Sequence, residues 1–190
     1  MLSKKDLSRS LAALHFRSID SETFSKKLGQ ASLETFYTIL LTDKFGKVFY
    51  KTAKDGNVIA LCCVFFRYNA FNKKLSYALL RHIGRQIITG QLSLVEFLRE
   101  ALKRKQYPLP ESVKDFHFGM IARDINAGPY SIKCLRDCCS EAFTFMASQG
   151  AQAMWACTEA RNTASIQFLS KIGFCEHQSI DGDILFIRTI

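Results

Sequence analysis

No apolar run among the 190 residues approaches the roughly twenty needed to cross a bilayer as a helix, so no membrane partner is expected. The opening Met1-Leu-Ser-Lys-Lys-Asp6 has basic residues but no apolar stretch behind them. A signal peptide is therefore not expected, and the expected location is cytoplasmic. The pattern C-x-x-C is missing, although the chain holds seven cysteines. Four of them form adjacent pairs, Cys62-Cys63 and Cys138-Cys139, which suits neither a disulfide framework nor a zinc ligand set. Reduced thiols and no bound metal are expected. The four histidines are scattered, which weakens a metal reading further. There are no repeats, low-complexity tracts or interdomain linkers, so a single domain spanning 1–190 is expected. Helix-turn-helix, RNP and zinc-finger patterns are also missing, and no nucleic-acid partner is expected.

What the chain does have is ordinary for a globular protein: 48% hydrophobic and 23% charged residues. Its net charge of +9 favours polyanions, nucleotide phosphates among them, without selecting one. The densest basic run, Lys103-Arg-Lys105, sits where a helix is expected to end, and the helix dipole accounts for it. Taken in order, Leu11–Ile19 reads as a first strand, and a short helix from Asp20 or Ser21 stops near Gly29. Ser32 is expected to cap a helix over Leu33–Leu41. Val48–Lys51 and Val58–Phe66 read as a hairpin around Lys54-Asp-Gly-Asn57. Leu75–Ile88 has helical periodicity, and the capping box Ser93-Leu-Val-Glu96 opens a further helix over Leu94–Lys105, ended by Pro108 and Pro110.

The most informative stretch is Phe116–Phe174. Phe116–Ala122 is a short apolar run. Ile132, Leu135, Cys139, Ala142, Phe143 and Met146 recur at helical spacing, and Gly150 suits the stop. Ala151–Cys157 is a second apolar run and holds the single tryptophan, Trp155. Two strands joined by such a helix, Tyr130–Ser148, should lie parallel. Between the first strand and the helix, Asn126-Ala-Gly-Pro-Tyr-Ser131 suits an anion, because the first turn of a helix carries unpaired N–H groups and partial positive charge. Asp181-Gly-Asp183 turns a closing hairpin, Cys175–Ile180 to Ile184–Thr189.

After the second strand comes Asn162-Thr-Ala-Ser-Ile-Gln-Phe-Leu-Ser-Lys-Ile-Gly-Phe174. Asn162 caps a helix there, and Gly173 ends it. This stretch resembles the closing motif of the GNAT N-acetyltransferase superfamily at Asn162, Ser165, Ile166, Lys171, Gly173 and Phe174. In that register Asn126, Pro129 and Ser131 fall on the family's acetyl-CoA signature Q/R-x-x-G-x-G/A, where only the small last residue matches. The resemblance covers Phe116 to the C-terminus and reaches the first half in outline.

The resemblance implies a mixed α/β fold of about six or seven strands, mostly antiparallel, with a parallel strand-4/strand-5 pair and flanking helices. Residues 67–115 then read as a two-helix insertion before strand 4. The implied activity is transfer of an acetyl group from acetyl-CoA to the amine of a small molecule or protein, by direct attack on the thioester. An acyl-CoA-binding protein of the same fold without turnover is the alternative. By register, Met120, Ile121 and Ala122 would line the thioester and pantetheine. Asn126, Ala127, Gly128, Tyr130 and Ser131 would hold the pyrophosphate, with Asn162 and Phe168 also facing the cofactor. The family often carries a tyrosine seven residues after the motif asparagine, and Leu169 stands there instead. His117 and Glu159 are the candidate bases. The acceptor is left open, and a homodimer is compatible with the reading.

Overall fold

A computed structural model describes residues 3–19, 24–90 and 107–190. Its helices are α1 (Lys4–Ser18), α2 (Phe24–Lys27), α3 (Gln30–Leu40), α4 (Tyr68–Ile88), α5 (Glu111–Lys114), α6 (Gly128–Ser148) and α7 (Thr163–Lys171). Its strands are β1 (Gly46–Thr52), β2 (Val58–Phe65), β3 (His117–Arg123), β4 (Ala153–Glu159), β5 (Cys175–Ile180) and β6 (Asp183–Thr189). They form one six-stranded sheet in the order β1-β2-β3-β4-β6-β5. Every neighbouring pair is antiparallel except β3–β4, which is parallel as the strand-helix-strand pattern requires.

The sheet sits between two helical layers. Strand β2 is buried along its whole length, and its residues alternate between the two sides. Ala60, Cys62 and Val64 join a core with Cys134, Leu135, Cys138, Cys139, Ala142 and Met146 of α6. Leu61, Cys63 and Phe65 face the other way, into a core with Leu11 and Leu14 of α1 and Leu33, Phe36, Tyr37 and Leu40 of α3. Five of the seven free cysteines are buried and serve as small apolar side chains.

The expected first strand over Leu11–Ile19 is not a strand. Leu11–Ser18 belong to α1, with Ile19 as its C-cap, and the N-cap Ser3 accepts the N–H of Asp6. The buried positions Ser8, Leu11, Ala12 and His15 fall at i, i+3, i+4 and i+7, one face of a helix. Helix α3 begins earlier than the expected Leu33–Leu41. Its N-cap is Gly29, with φ of 79°, while Ser32 is buried inside it and donates to the carbonyl of Leu28 at 2.7 Å. Likewise α4 begins at Tyr68 rather than Leu75. The helix expected over Leu94–Lys105 lies outside the described residues.

The motif stretch forms as its residues dictate. The Asn162 side chain accepts the N–H of Ser165 at 3.1 Å and starts α7. Gly173 ends it at φ +90°, where a Cβ would stand 2.8 Å from a guanidinium nitrogen of Arg188. Phe174 is then buried against Phe118 and Phe143, with ring centroids 5.1 and 6.2 Å away.

Candidate active site

A gap in the sheet builds the site. Strands β3 and β4 share one registered pair among the described residues, His117 with Trp155, and the N–H of Trp155 donates to the carbonyl of Phe116 at 3.0 Å. The strands then run on without a further registered pair. The cause lies on the other edge of β3. Cys62 pairs with Ile121 and Val64 with Phe118, so β3 fits one more residue than β2 into the same interval. That is a β-bulge at Gly119–Met120, which bends a strand and re-aims its backbone. Gly119 is required there, since a Cβ would stand 2.6 Å from the Phe65 ring.

A cavity of about 570 Å³ opens at this gap, and its wall draws on both faces of the sheet. Phe118, Ile121, Ala156 and Leu169 belong to the core beneath α6 and α7. Phe36, Phe65, Tyr68, Phe71 and Met120 belong to the opposite side, with α1, α3 and α4. The volume suits a small-molecule ligand. Polar groups converge on the cavity from several elements. Tyr107 donates its hydroxyl to Asp183 at 2.7 Å, and the Cys157 thiol approaches the Tyr107 oxygen at 3.4 Å. Burial first, then Cys157 and Asp183, push the Tyr107 hydroxyl well above the usual tyrosine range. His15, also on the wall, meets the Tyr37 hydroxyl at 3.0 Å, and burial lowers its pKa to about 4.

The expected site residues divide into those that reach the cavity and those that do not. His117, Glu159, Met120, Ile121 and Asn162 line it. His117 packs on Trp155 at 4.0 Å and on Tyr68 at 4.4 Å. Glu159 accepts from the Arg161 guanidinium at 2.6 Å. Because His117 is registered with Trp155, four residues separate it from Glu159 along β4, roughly 13 Å at strand rise. The two candidate bases therefore do not address one proton. Ala122 turns away, buried in the core with α1 and α3, and Phe168 packs against the α6 core instead of the cavity. Leu169 is buried where the family's tyrosine would stand.

The loop Asn126–Ser131 lies beyond the end of β3 and off the cavity wall. Residues Ile125–Ala127 form a short 3₁₀ turn that satisfies itself. The Asp124 carboxylate accepts the N–H of Asn126 at 2.9 Å, the Asp124 carbonyl accepts that of Ala127 at 3.3 Å, and Gly128 donates to Ile125. Pro129 has no N–H. Of the amides at the start of α6, Tyr130 is thus the one left to meet an anion by this count. Gly128 holds φ 59° and ψ −146°, a conformation reserved for glycine. Ser131 is fully buried, its hydroxyl donating to the Gly128 carbonyl at 2.8 Å and accepting from Arg123 at 3.3 Å. Its side chain braces the loop and is not exposed to a ligand.

The sequence assigns no site role to Tyr107, Asp183, Tyr68 or His15; Tyr68 reads there as one of a packing aromatic cluster with Phe65, Phe66 and Phe71. Tyr107 and Asp183 are 76 positions apart, and Asp183 reads locally as a turn residue. The aromatic Tyr107 beside Pro108, closing a basic stretch, is the one local signal that could have pointed there.

No known protein family matches the sequence, and no curated protein matches it. Solved structures do match over the full chain. The PaiA N-acetyltransferase of Thermoplasma acidophilum, in complex with coenzyme A, aligns at TM-score 0.61 and 11% identity, covering 100% of this chain and 96% of its own. The ribosomal-protein-S18-alanine N-acetyltransferase of Escherichia coli aligns at TM-score 0.53 and 13% identity, covering 100% and 90%. A spermidine N-acetyltransferase of Vibrio cholerae aligns at TM-score 0.52 and 13% identity, covering 99% and 92%. The architecture is the GNAT fold, a mixed sheet with the parallel pair at its centre and helices on both faces.

Proposed function

We propose that this chain, which has the fold of those N-acetyltransferases, transfers an acetyl group from acetyl-CoA to an amine. The observation that carries the reading is the opening between β3 and β4 beside the Gly119–Met120 bulge, with a cavity that draws on both sides of the sheet. A thioester threaded into such a gap can meet an amine arriving from the opposite side. The bulge re-aims backbone N–H groups on β3, and donors of that kind stabilise a developing oxyanion. Met120 and Ile121 would line this part of the ligand, while the start of α6, with Tyr130 and the nearby Arg123, would take the phosphates. Acetyl-CoA supplies the activated carbonyl and the thiolate leaving group. The chain's own part is to exclude water, orient the amine and carry its proton. Tyr107 and Asp183 form a hydrogen-bonded acid–base couple on the cavity wall.

A second reading, acyl-CoA binding without turnover, draws on two observations. Leu169 occupies the family's tyrosine position inside the core, and the 3₁₀ turn uses amides that would otherwise meet phosphate. Calorimetric titration with acetyl-CoA, followed by thiol release over a panel of amines, separates the readings. Binding with turnover supports transfer, and binding without turnover on every amine supports the second reading. Failure to bind acetyl-CoA or CoA overturns both. Among the described residues no helix is long and apolar enough to cross a membrane.

A further inference from the structure

One titratable side chain on the cavity wall has no part in the chemistry so far. His15 closes the buried stripe of α1 and is 3% exposed, yet its ring lines the cavity beside Ser18 and Ile19 and shares it with Met120 and Ile121 of β3. The helix is fixed over β3 at this point. The Ser18 hydroxyl reaches the Arg123 carbonyl at 3.0 Å, and Met120 and Ala122 pack into the core that holds Leu11 and Leu14.

Burying an imidazole is costly unless its nitrogens find use. Nδ1 is the nitrogen turned into the core. It meets the Tyr37 hydroxyl at 3.0 Å, and the two rings stand edge-on with centroids 5.9 Å apart at 75°. Tyr37 is itself fully buried and hydrogen-bonds the Cys63 thiol. Nε2, on the far edge of the ring, is left to the cavity. The earlier candidates for the same task are engaged elsewhere. Glu159 accepts from Arg161 at 2.6 Å, and His117 lies among rings, 4.0 Å from Trp155 and 5.7 Å from Phe65.

Resting on the transferase reading above, we propose that His15 is the base of the reaction: Nε2 takes the proton that the amine nitrogen sheds as it bonds to the thioester carbon, and Tyr37 positions the ring from behind. The side of the sheet suits this. With the phosphates at the start of α6, the amine comes from the side of α1, α3 and α4, where His15 stands. With the Tyr37 proton directed to Cys63, the Tyr37 oxygen accepts Nδ1–H, and the Nε2 lone pair points to the cavity. Burial keeps the imidazole neutral at neutral pH, its pKa lowered to about 4. A base this weak does not strip a free ammonium. It suits a nitrogen already bonding to carbon, whose N–H has become acidic. The amine therefore arrives neutral. As the C–N bond forms and the C–S bond breaks, Nε2 takes one proton from nitrogen and passes it to the sulfur that leaves as thiolate. The products are an amide and a neutral thiol, His15 is neutral again, and atoms and charge balance.

Two measurements on the full chain test this. Long-range proton–nitrogen correlation spectra at neutral pH, with the His15 signals found by their loss in His15→Gln, read the tautomer without any acceptor. Nδ1–H is expected. Nε2–H would overturn the inference, because the lone pair would then face Tyr37. Thiol release from acetyl-CoA is followed with ethanolamine, 2-phenylethylamine, spermidine and glycine amide, and the best acceptor among them is kept. His15→Gln should lower kcat about a hundredfold or more, the usual share of a positioned base, with the amine KM and the calorimetric CoA affinity within about threefold of the parent. His15→Ala should lose as much and regain about tenfold on added imidazole, a rescue that a merely structural histidine would not show. Tyr37→Phe should lower kcat about tenfold, as loss of one hydrogen bond behind the ring predicts. A His15→Gln protein with the parent's kcat, or a folded His15→Ala protein that imidazole does not revive, overturns the inference and leaves the transferase reading standing. Thiol release with none of these amines refutes that reading, and the assignment of the base falls with it.

Discussion

Asp124 sits where an arriving phosphate would want a positive end. Its carboxylate accepts the Asn126 N–H at 2.9 Å and lies 3.9 Å from Arg17, with a quarter of its side chain exposed at 25%. A cofactor pyrophosphate at the start of α6 would meet this fixed negative charge and would lose the pull of Arg17, already engaged. Replacing Asp124 by Asn keeps an oxygen that can accept the same N–H but removes the charge. For unit charges roughly 6 Å apart, an effective dielectric of about 20 to 80 gives an unfavourable 0.7–2.8 kcal/mol. Asp124→Asn should therefore tighten CoA binding by about 1–2 kcal/mol, roughly tenfold. The gain should shrink as salt is raised, because the screening length falls to about 3 Å at 1 M. Acetyl-pantetheine lacks the pyrophosphate and should bind both proteins alike. Calorimetry on the two ligands at low and high salt makes the comparison. If Asp124→Asn folds normally and binds CoA no more tightly, phosphates do not seat at this helix start and the placement is wrong.

Two further outcomes follow from side chains behind the cavity. His15 is held neutral by burial, its pKa lowered to about 4 against 6.5 when unfolded, so the unfolded chain binds a proton first as pH falls. Stability should be unaffected by this group above pH 7 and should drop by about 3 kcal/mol between pH 6.5 and 4. Urea unfolding across that range should show His15→Gln with a flatter profile than the parent, and identical slopes would remove His15 as the cause. Gly119→Ala places a Cβ 2.6 Å from the Phe65 ring, which is itself only 3% exposed and cannot easily yield. Overpacking of this kind costs about 1–3 kcal/mol, and here it should also weaken acetyl-CoA binding by disturbing the bulge; an unchanged denaturation midpoint and affinity would show that glycine is not needed.

The second half of the fold was legible because its signals are local. Asn162 caps, Gly173 stops, and Phe174 packs within a stretch that declares itself in thirteen residues. The hairpin turns at Asp55-Gly56 and Asp181-Gly182 are equally short-range. The first helix was misread as a strand because its buried stripe includes Ser8 and His15, whose polarity breaks the apolar period that Leu11 and Ala12 begin. Its Ser3–Asp6 cap was the overlooked cue. The cavity was legible where strand register sets it, at His117, Met120 and Ile121. It was illegible where distant segments meet. Nothing near Tyr107 or Asp183 in sequence shows that they pair, and the 3₁₀ turn after Arg123 depends on a backbone choice that composition does not specify.

The single rung between β3 and β4 also divides the sheet into two triplets, β1-β2-β3 and β4-β6-β5. The second triplet is contiguous in sequence from Ala153 to Thr189, and its strands close on one another through antiparallel ladders. Its attachment to the first relies on that rung and on side chains that cross the seam, Phe118 with Phe174 among them. The seam is then the compliant line of the molecule, where amide exchange should report opening at lower free energy than within either triplet. Anything bound in the gap would act as a rivet across it. Its effect on unfolding would follow from mass action alone and grow with the logarithm of ligand concentration above the dissociation constant.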